Sequence, residues 1–140
     1  MKIKVRVSAL VHPTEIEEKV REAITNLFSL PLHIRDFGTP QLYGEGDLES
    51  LRLLHRRLRE ERILDTARHI LLTGISGDIT QFTINKQVAF AGKLNFPGGV
   101  ESLGSIHVEI SAGDEESLLR VIDWLAPETI DGKPVGEIDL

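Results

Sequence analysis

Residues 2–11 read Lys2-Ile3-Lys4-Val5-Arg6-Val7-Ser8-Ala9-Leu10-Val11. Ile3, Val5, Val7, Ala9 and Val11 fall on one side of a period-two chain, and Lys2, Lys4, Arg6 and Ser8 on the other. Side chains alternate across a strand, so this pattern predicts a β-strand with one buried and one wet face. A sheet containing such a strand needs cover on one face. Helices can supply it, which makes the expected class α+β.

The residues that follow provide the cover. Pro13 stops the strand, and Thr14 with Glu17 three residues on has the spacing of a capping box. A first helix is expected to run to about Phe28, with Ile16, Val20, Ala23, Ile24 and Leu27 as its apolar stripe. Residues 29–46 are rich in proline and glycine and predict loop, with a short strand or two around 32–37. Asp47 is placed to cap a helix whose stripe is Leu48, Leu51, Leu54 and Leu58. That stripe rotates near residues 60–62, so the run to Gly74 is read as two helices.

Residues 79–84 and 87–96 read as strands joined at Asn85-Lys86, with Asn85 in the positive-φ position of a hairpin turn. Val88, Phe90, Leu94 and Phe96 would then face the core, and Gln87, Ala89, Ala91, Lys93 and Asn95 the solvent. Pro97-Gly98-Gly99 starts a loop, and Ile106, Val108 and Ile110 mark another strand. Asp114 caps a last helix that buries Leu118, Leu119, Ile122, Leu125 and part of Trp124. The expectation is one domain over residues 1–140: an antiparallel or mixed sheet, helices mainly on one face, and a flexible acidic tail at 128–140.

The 140 residues contain no cysteine, which removes disulfides and thiolate metal sites. His12, His33, His55, His69 and His107 show no metal-ligand spacing, and no phosphate-binding glycine loop or nucleophile elbow occurs. Acidic groups such as Glu17-Glu18 and Glu115-Glu116 sit where helices start, and there they complement the macrodipole. A non-catalytic protein with no cofactor and no metal is therefore expected. No apolar run is long enough to span a membrane and the start lacks a signal-peptide core, so a cytoplasmic protein is expected.

The net charge of −6 hides a segregation. Residues 52–93 carry 8 basic and 4 acidic groups, and residues 94–140 carry 2 basic and 10 acidic. Arg52, Arg56 and Arg59 share one helical flank, where three guanidiniums could grip successive phosphates, and Arg62 and Arg68 would extend that surface. The competing reading is a solvated face neutralised locally by Glu60, Glu61 and Asp65. Lys2, Lys4 and Arg6, with Lys93, would make a second patch on the open sheet face. That patch shows no aromatic residue for stacking bases, and Glu109 would offset part of its charge.

Three stretches carry a resemblance: Arg62-Ile63-Leu64-Asp65-Thr66-Ala67-Arg68, then Phe82-Thr83-Ile84-Asn85-Lys86-Gln87-Val88-Ala89-Phe90, then Gly92-Lys93-Leu94-Asn95-Phe96. With the opening strand and Pro13-Thr14-Glu15 they resemble the archaeal uncharacterised protein family 0201. The resemblance implies a ribosomal-protein-L-five-like fold, an RNA-binding role and a link to RNA processing, with no reaction attached. On the hairpin reading, Lys86 and Gln87 project at a tip, where they could meet a phosphate and a base edge. The expected RNA-contact set is Arg52, Arg56, Arg59, Arg62, Arg68, Lys86, Gln87 and Lys93. The alternative is a protein-interaction or homodimerisation module in an RNA-processing complex, the acidic last third meeting the basic segment of another copy.

Overall fold

The computed structural model describes residues 2–96 and 104–140; the expected loop at Pro97-Gly98-Gly99 lies outside them. The opening alternation becomes strand β1 (Lys4–Leu10). It pairs antiparallel with β3 (Pro40–Gly46) on one side and β6 (Ser105–Ser111) on the other. The sheet is completed by β2 (His33–Asp36), β4 (Ile75–Ser76) and β5 (Ile79–Asn85), in the order β2-β3-β1-β6-β5-β4 with every pairing antiparallel.

Helices α1 (Glu17–Thr25), α2 (Arg52–Glu60), α3 (Leu64–Thr73) and α5 (Glu115–Leu125) bury their apolar stripes in one core with one face of the sheet. Val5, Val7 and Ala9 of β1, Leu42 of β3, Phe82 and Ile84 of β5, and Ile106, Val108 and Ile110 of β6 form the sheet's side of that core. Their neighbours along each strand point the other way and stay uncovered, as period two requires. Among the described residues no helix is long and apolar enough to cross a membrane.

The chain breaks between α2 and α3 where the stripe rotates. Ile63 N–H donates to Leu58 O and Arg62 N–H to Arg59 O, the paired bonds of a Schellman motif. Arg62 holds its left-handed position, with φ of 55°, where glycine is usual. Asp47 caps a 3-10 turn (Leu48–Leu51) that leads into α2, and Asp114 caps α5, each by accepting a backbone N–H.

Several expectations are corrected. Residues 86–90 form a short helix, α4 (Lys86–Phe90), and not a strand. Asn85 has φ of −61° and caps α4 by accepting from Val88 N–H at 2.8 Å. Asparagine serves a helix start as well as a turn, and the buried pair Lys86 and Ala89 is spaced three apart, a helical period. Phe90 is consequently exposed and Ala89 buried, the reverse of the strand reading. The Thr14–Glu17 capping box does not form. The residue ahead of α1 is Ile16, which makes no side-chain cap and is exposed, and Glu15 turns back to accept from His12 N–H at 3.0 Å.

The short strand expected around 32–37 is β2, and it forms a β-hairpin with β3, where loop was expected over 40–46, turned by Gly38 at φ of 111°. Leu119 is exposed, because Val121 and Trp124 take the core-facing positions of α5. The last residues form a small hairpin, β7 (Thr129–Ile130) and β8 (Lys133–Pro134), and run back against α2, with Leu140 packed on the core.

Candidate nucleic-acid interface

The arginine segment is largely spent on the fold. Arg59 is only 20% exposed and donates to the carbonyls of Leu125 and Trp124 at 3.1 and 3.2 Å. Its Nε meets Glu137 at 2.8 Å. Arg68, 19% exposed, donates to Asp123 at 2.8 Å and to Ala126 O at 3.2 Å. The last carbonyls of α5 lack helical partners, and two cations satisfy them while facing the negative end of its dipole. Arg52 is exposed, pairs with Glu49 at 2.7 Å and reaches Leu140 O. Arg56 is exposed and pairs with Glu60 at 3.1 Å one turn on.

Two of the arginine–carboxylate contacts lower the pKa of the carboxyl group. The hydrogen bond from Arg59 holds the Glu137 carboxyl below its ordinary range, and that from Arg52 does the same for Glu49. His55 stacks on Trp124 with ring centres 4.5 Å apart. Burial, then the neighbouring Arg59 charge, pushes its pKa down.

Lys86 is not at a tip. It is 3% exposed, and its ammonium donates to Leu10 O at 2.8 Å and to Glu15 at 3.0 Å. A buried lysine persists only with such partners, so it fastens α4 to the end of β1 and the approach to α1. Gln87 and Lys93 are exposed, as is Arg62 at the helix junction. The expected contact residues therefore do not converge. Arg59 and Arg68 meet at the end of α5, Lys86 is interior, and the others are spread over the helical side.

The opposite face of the sheet is open and forms a groove of about 700 Å³. Two cross-strand rows run across this face. In the first, His33, Tyr43, Ser8, His107 and Thr83 stand on β2, β3, β1, β6 and β5, each directly opposite the next. In the second, Glu45, Arg6, Glu109 and Gln81 run from β3 to β5. Arg6 lies 3.2 Å from Glu109 and 3.8 Å from Glu45, Lys4 lies 3.2 Å from Glu45, and the Gln81 amide donates to Glu109 at 2.9 Å.

Beside Tyr43, the Arg35 guanidinium sits 4.2 Å from the ring centre, held by a 2.6 Å bond from its Nε to Gln41. The His33 ring lies 5.6 Å away at a 44° tilt. This face carries an aromatic platform that the sequence reading lacked. Its signal was present in residues 40–46, where Leu42, Gly44 and Gly46 alternate with Gln41, Tyr43 and Glu45. Gly44 hides the pattern. A Cβ there would run into Leu30 Cδ1 and Pro31 O, so the inner position is left empty for the segment that crosses it.

Among the described residues no group of three or more histidine, aspartate or glutamate side chains is arranged to hold a metal ion.

A family model described as RNA binding matches residues 4–112. A UPF0201 protein of Methanopyrus kandleri is 43% identical over 145 residues, covering 96% of this chain and 91% of that protein. One from Metallosphaera sedula is 42% identical over 138 residues, covering 96% and 94%. The crystal structure of a UPF0201 protein from Methanococcus jannaschii superposes with a TM-score of 0.82 at 33% identity, covering 95% of this chain and 99% of that one. The match in sequence and in fold over nearly the whole chain makes it a member of the archaeal UPF0201 family.

Proposed function

We propose that the protein binds RNA without acting on it, and that the open sheet face is the contact surface. The observation that carries this is Tyr43, standing in a bare groove beside Arg35, with Arg6 and Lys4 on the neighbouring strand. RNA recognition on sheets uses exposed aromatics for bases and cations for phosphates. The family match described as RNA binding supports the same reading. A cytoplasmic setting fits the role.

The arginine helix is the second reading. Arg52, Arg56 and Arg62 remain exposed and could add phosphate contacts, whereas Arg59, Arg68 and Lys86 are committed to internal bonds. Fluorescence anisotropy with a labelled RNA at two salt concentrations separates the two. Binding that uses Lys4, Arg6 and Arg35 against a single strand should weaken with salt with a log–log slope of roughly −2, from about −0.7 per phosphate. Arg6→Glu/Arg35→Glu should abolish binding and Arg56→Glu/Arg62→Glu should leave most of it; the reverse result moves the interface to the helix. A homodimer or a place in an RNA-processing complex is the interaction reading. It is favoured by the open edge of β2, where Ile34 and Phe37 are exposed, and light scattering tests it.

A further inference from the structure

The first cross-strand row has a gap. Tyr43 and His107 are both opposite Ser8, one on each side of β1. Neighbouring strands lie about 4.8 Å apart, so these two residues root about 10 Å from each other. The residue between them is a serine, which fills none of the height that a ring needs. A planar ring seated over Ser8 therefore lies about 5 Å from each wall, within the roughly 4.5–7 Å that aromatic pairs prefer. Tyr43, Ser8, His107 and Thr83 all line the groove. Arg35 packs over the Tyr43 ring and is itself tied to Gln41, which holds that wall upright.

The second row closes one end of the gap. Its only cation, Arg6, lies between Glu45 and Glu109. Two carboxylates beside one guanidinium weaken the hold of Arg6 on a phosphate, so the cations of this face need a further contact beside them. A ring supplies that contact.

We infer that the space between Tyr43 and His107 is a slot for one unpaired nucleobase of a single-stranded RNA, stacked between the two rings with its edge over Ser8. This rests on the RNA-binding reading above and narrows it to the class of RNA. A paired base cannot enter, because its faces are already occupied by its neighbours in the helix. Stacking tolerates every base, so the slot selects for single-strandedness before sequence.

The test compares a labelled 12-nucleotide RNA strand with a 12-base-pair RNA duplex on the intact protein, by anisotropy. Tyr43→Ala, Tyr43→Phe and His107→Ala are measured alongside, each checked by thermal melting. Tyr43 is the only tyrosine of the chain, so its ring resonances report the slot directly by NMR. The expected result is preference for the strand, a loss of roughly 5- to 100-fold in Tyr43→Ala, near-full binding in Tyr43→Phe, and a Tyr43 ring shift on adding adenosine 5′-monophosphate. If Tyr43→Ala does not fold, His107→Ala reads the opposite wall and should also lose affinity. Equal binding of strand and duplex, or full binding by both alanine variants, overturns the slot and leaves RNA binding standing. If neither RNA binds, the RNA-binding reading falls and the slot for an RNA base falls with it.

Discussion

Replacing Arg59 with alanine separates an arginine that builds the fold from one that serves a ligand. The Arg59 guanidinium donates to two carbonyls at the end of α5, those of Leu125 and Trp124, and grips Glu137 as well. Each charge-assisted bond to a carbonyl contributes about 1.5 kcal/mol or somewhat more, so the two together contribute about 3 kcal/mol. Glu137 is half exposed, and its ion pair adds little to that sum. For a domain of this size about 1 kcal/mol shifts the melting temperature by about 3–4 °C, so Arg59→Ala should lower it by about 10 °C. Arg56, on the same helix and exposed, has only an i,i+4 pair worth about 0.3–0.5 kcal/mol, and Arg56→Ala should cost about 1–2 °C. Differential scanning calorimetry of the two variants decides the matter. Equal melting temperatures would refute the clasp on α5 and return Arg59 to the solvent-facing set.

Three other outcomes follow from the same contacts. Lys86→Ala should cost about 3–5 kcal/mol in urea unfolding, because it leaves Glu15 buried without its cation, while Lys86→Met/Glu15→Gln should recover most of that loss. Gly44→Ala should cost about 3 kcal/mol or prevent folding, since its Cβ meets the Pro31 backbone, whereas Gly136→Ala, with open space around it, should be near neutral. His55 has a depressed pKa from burial, so the unfolded chain takes up its proton first as pH falls. Stability contributed by neutral His55 is full above about pH 6.5 and is lost below it, down to the folded pKa. Urea midpoints should drop between pH 7.5 and 5.5, and His55→Phe, which keeps the stack on Trp124, should flatten that drop.

The local patterns were readable because their causes are local. The alternation of β1, the caps at Asp47 and Asp114 and the break at residues 60–62 each depend on residues within a turn or two. The site was not readable for the opposite reason. Arg59 finds its carbonyls 65 and 66 residues away, and Arg68 finds its carbonyl 58 away. No spacing rule within a helix encodes such partners. Tyr43 was missed through a different mechanism, since an inner-face glycine removes the apolar half of the alternation that marks a strand. Asn85 shows a third case, in which one residue type suits both a turn and a helix cap, and only the burial of Lys86 and Ala89 distinguishes them.

Charge segregation along the chain suggested a basic surface, yet folding largely cancels it. The acidic last third returns to the basic segment, with Glu137 on Arg59 and both Asp123 and Glu128 near Arg68. What the sequence counts as a net positive block is, in three dimensions, largely a set of short-range pairs whose field is screened within about 10 Å. The sheet face carries an excess of only one positive charge among these groups, with Lys4, Arg6 and Arg35 set against Glu45 and Glu109. Neither surface then supports RNA binding by phosphate attraction alone. A ring platform that needs no net charge is the feature that distinguishes the two faces, and it lies on the side that the helices leave open. The arginines explain how the helical layer is fastened; Tyr43 and His107 explain what the bare layer could hold.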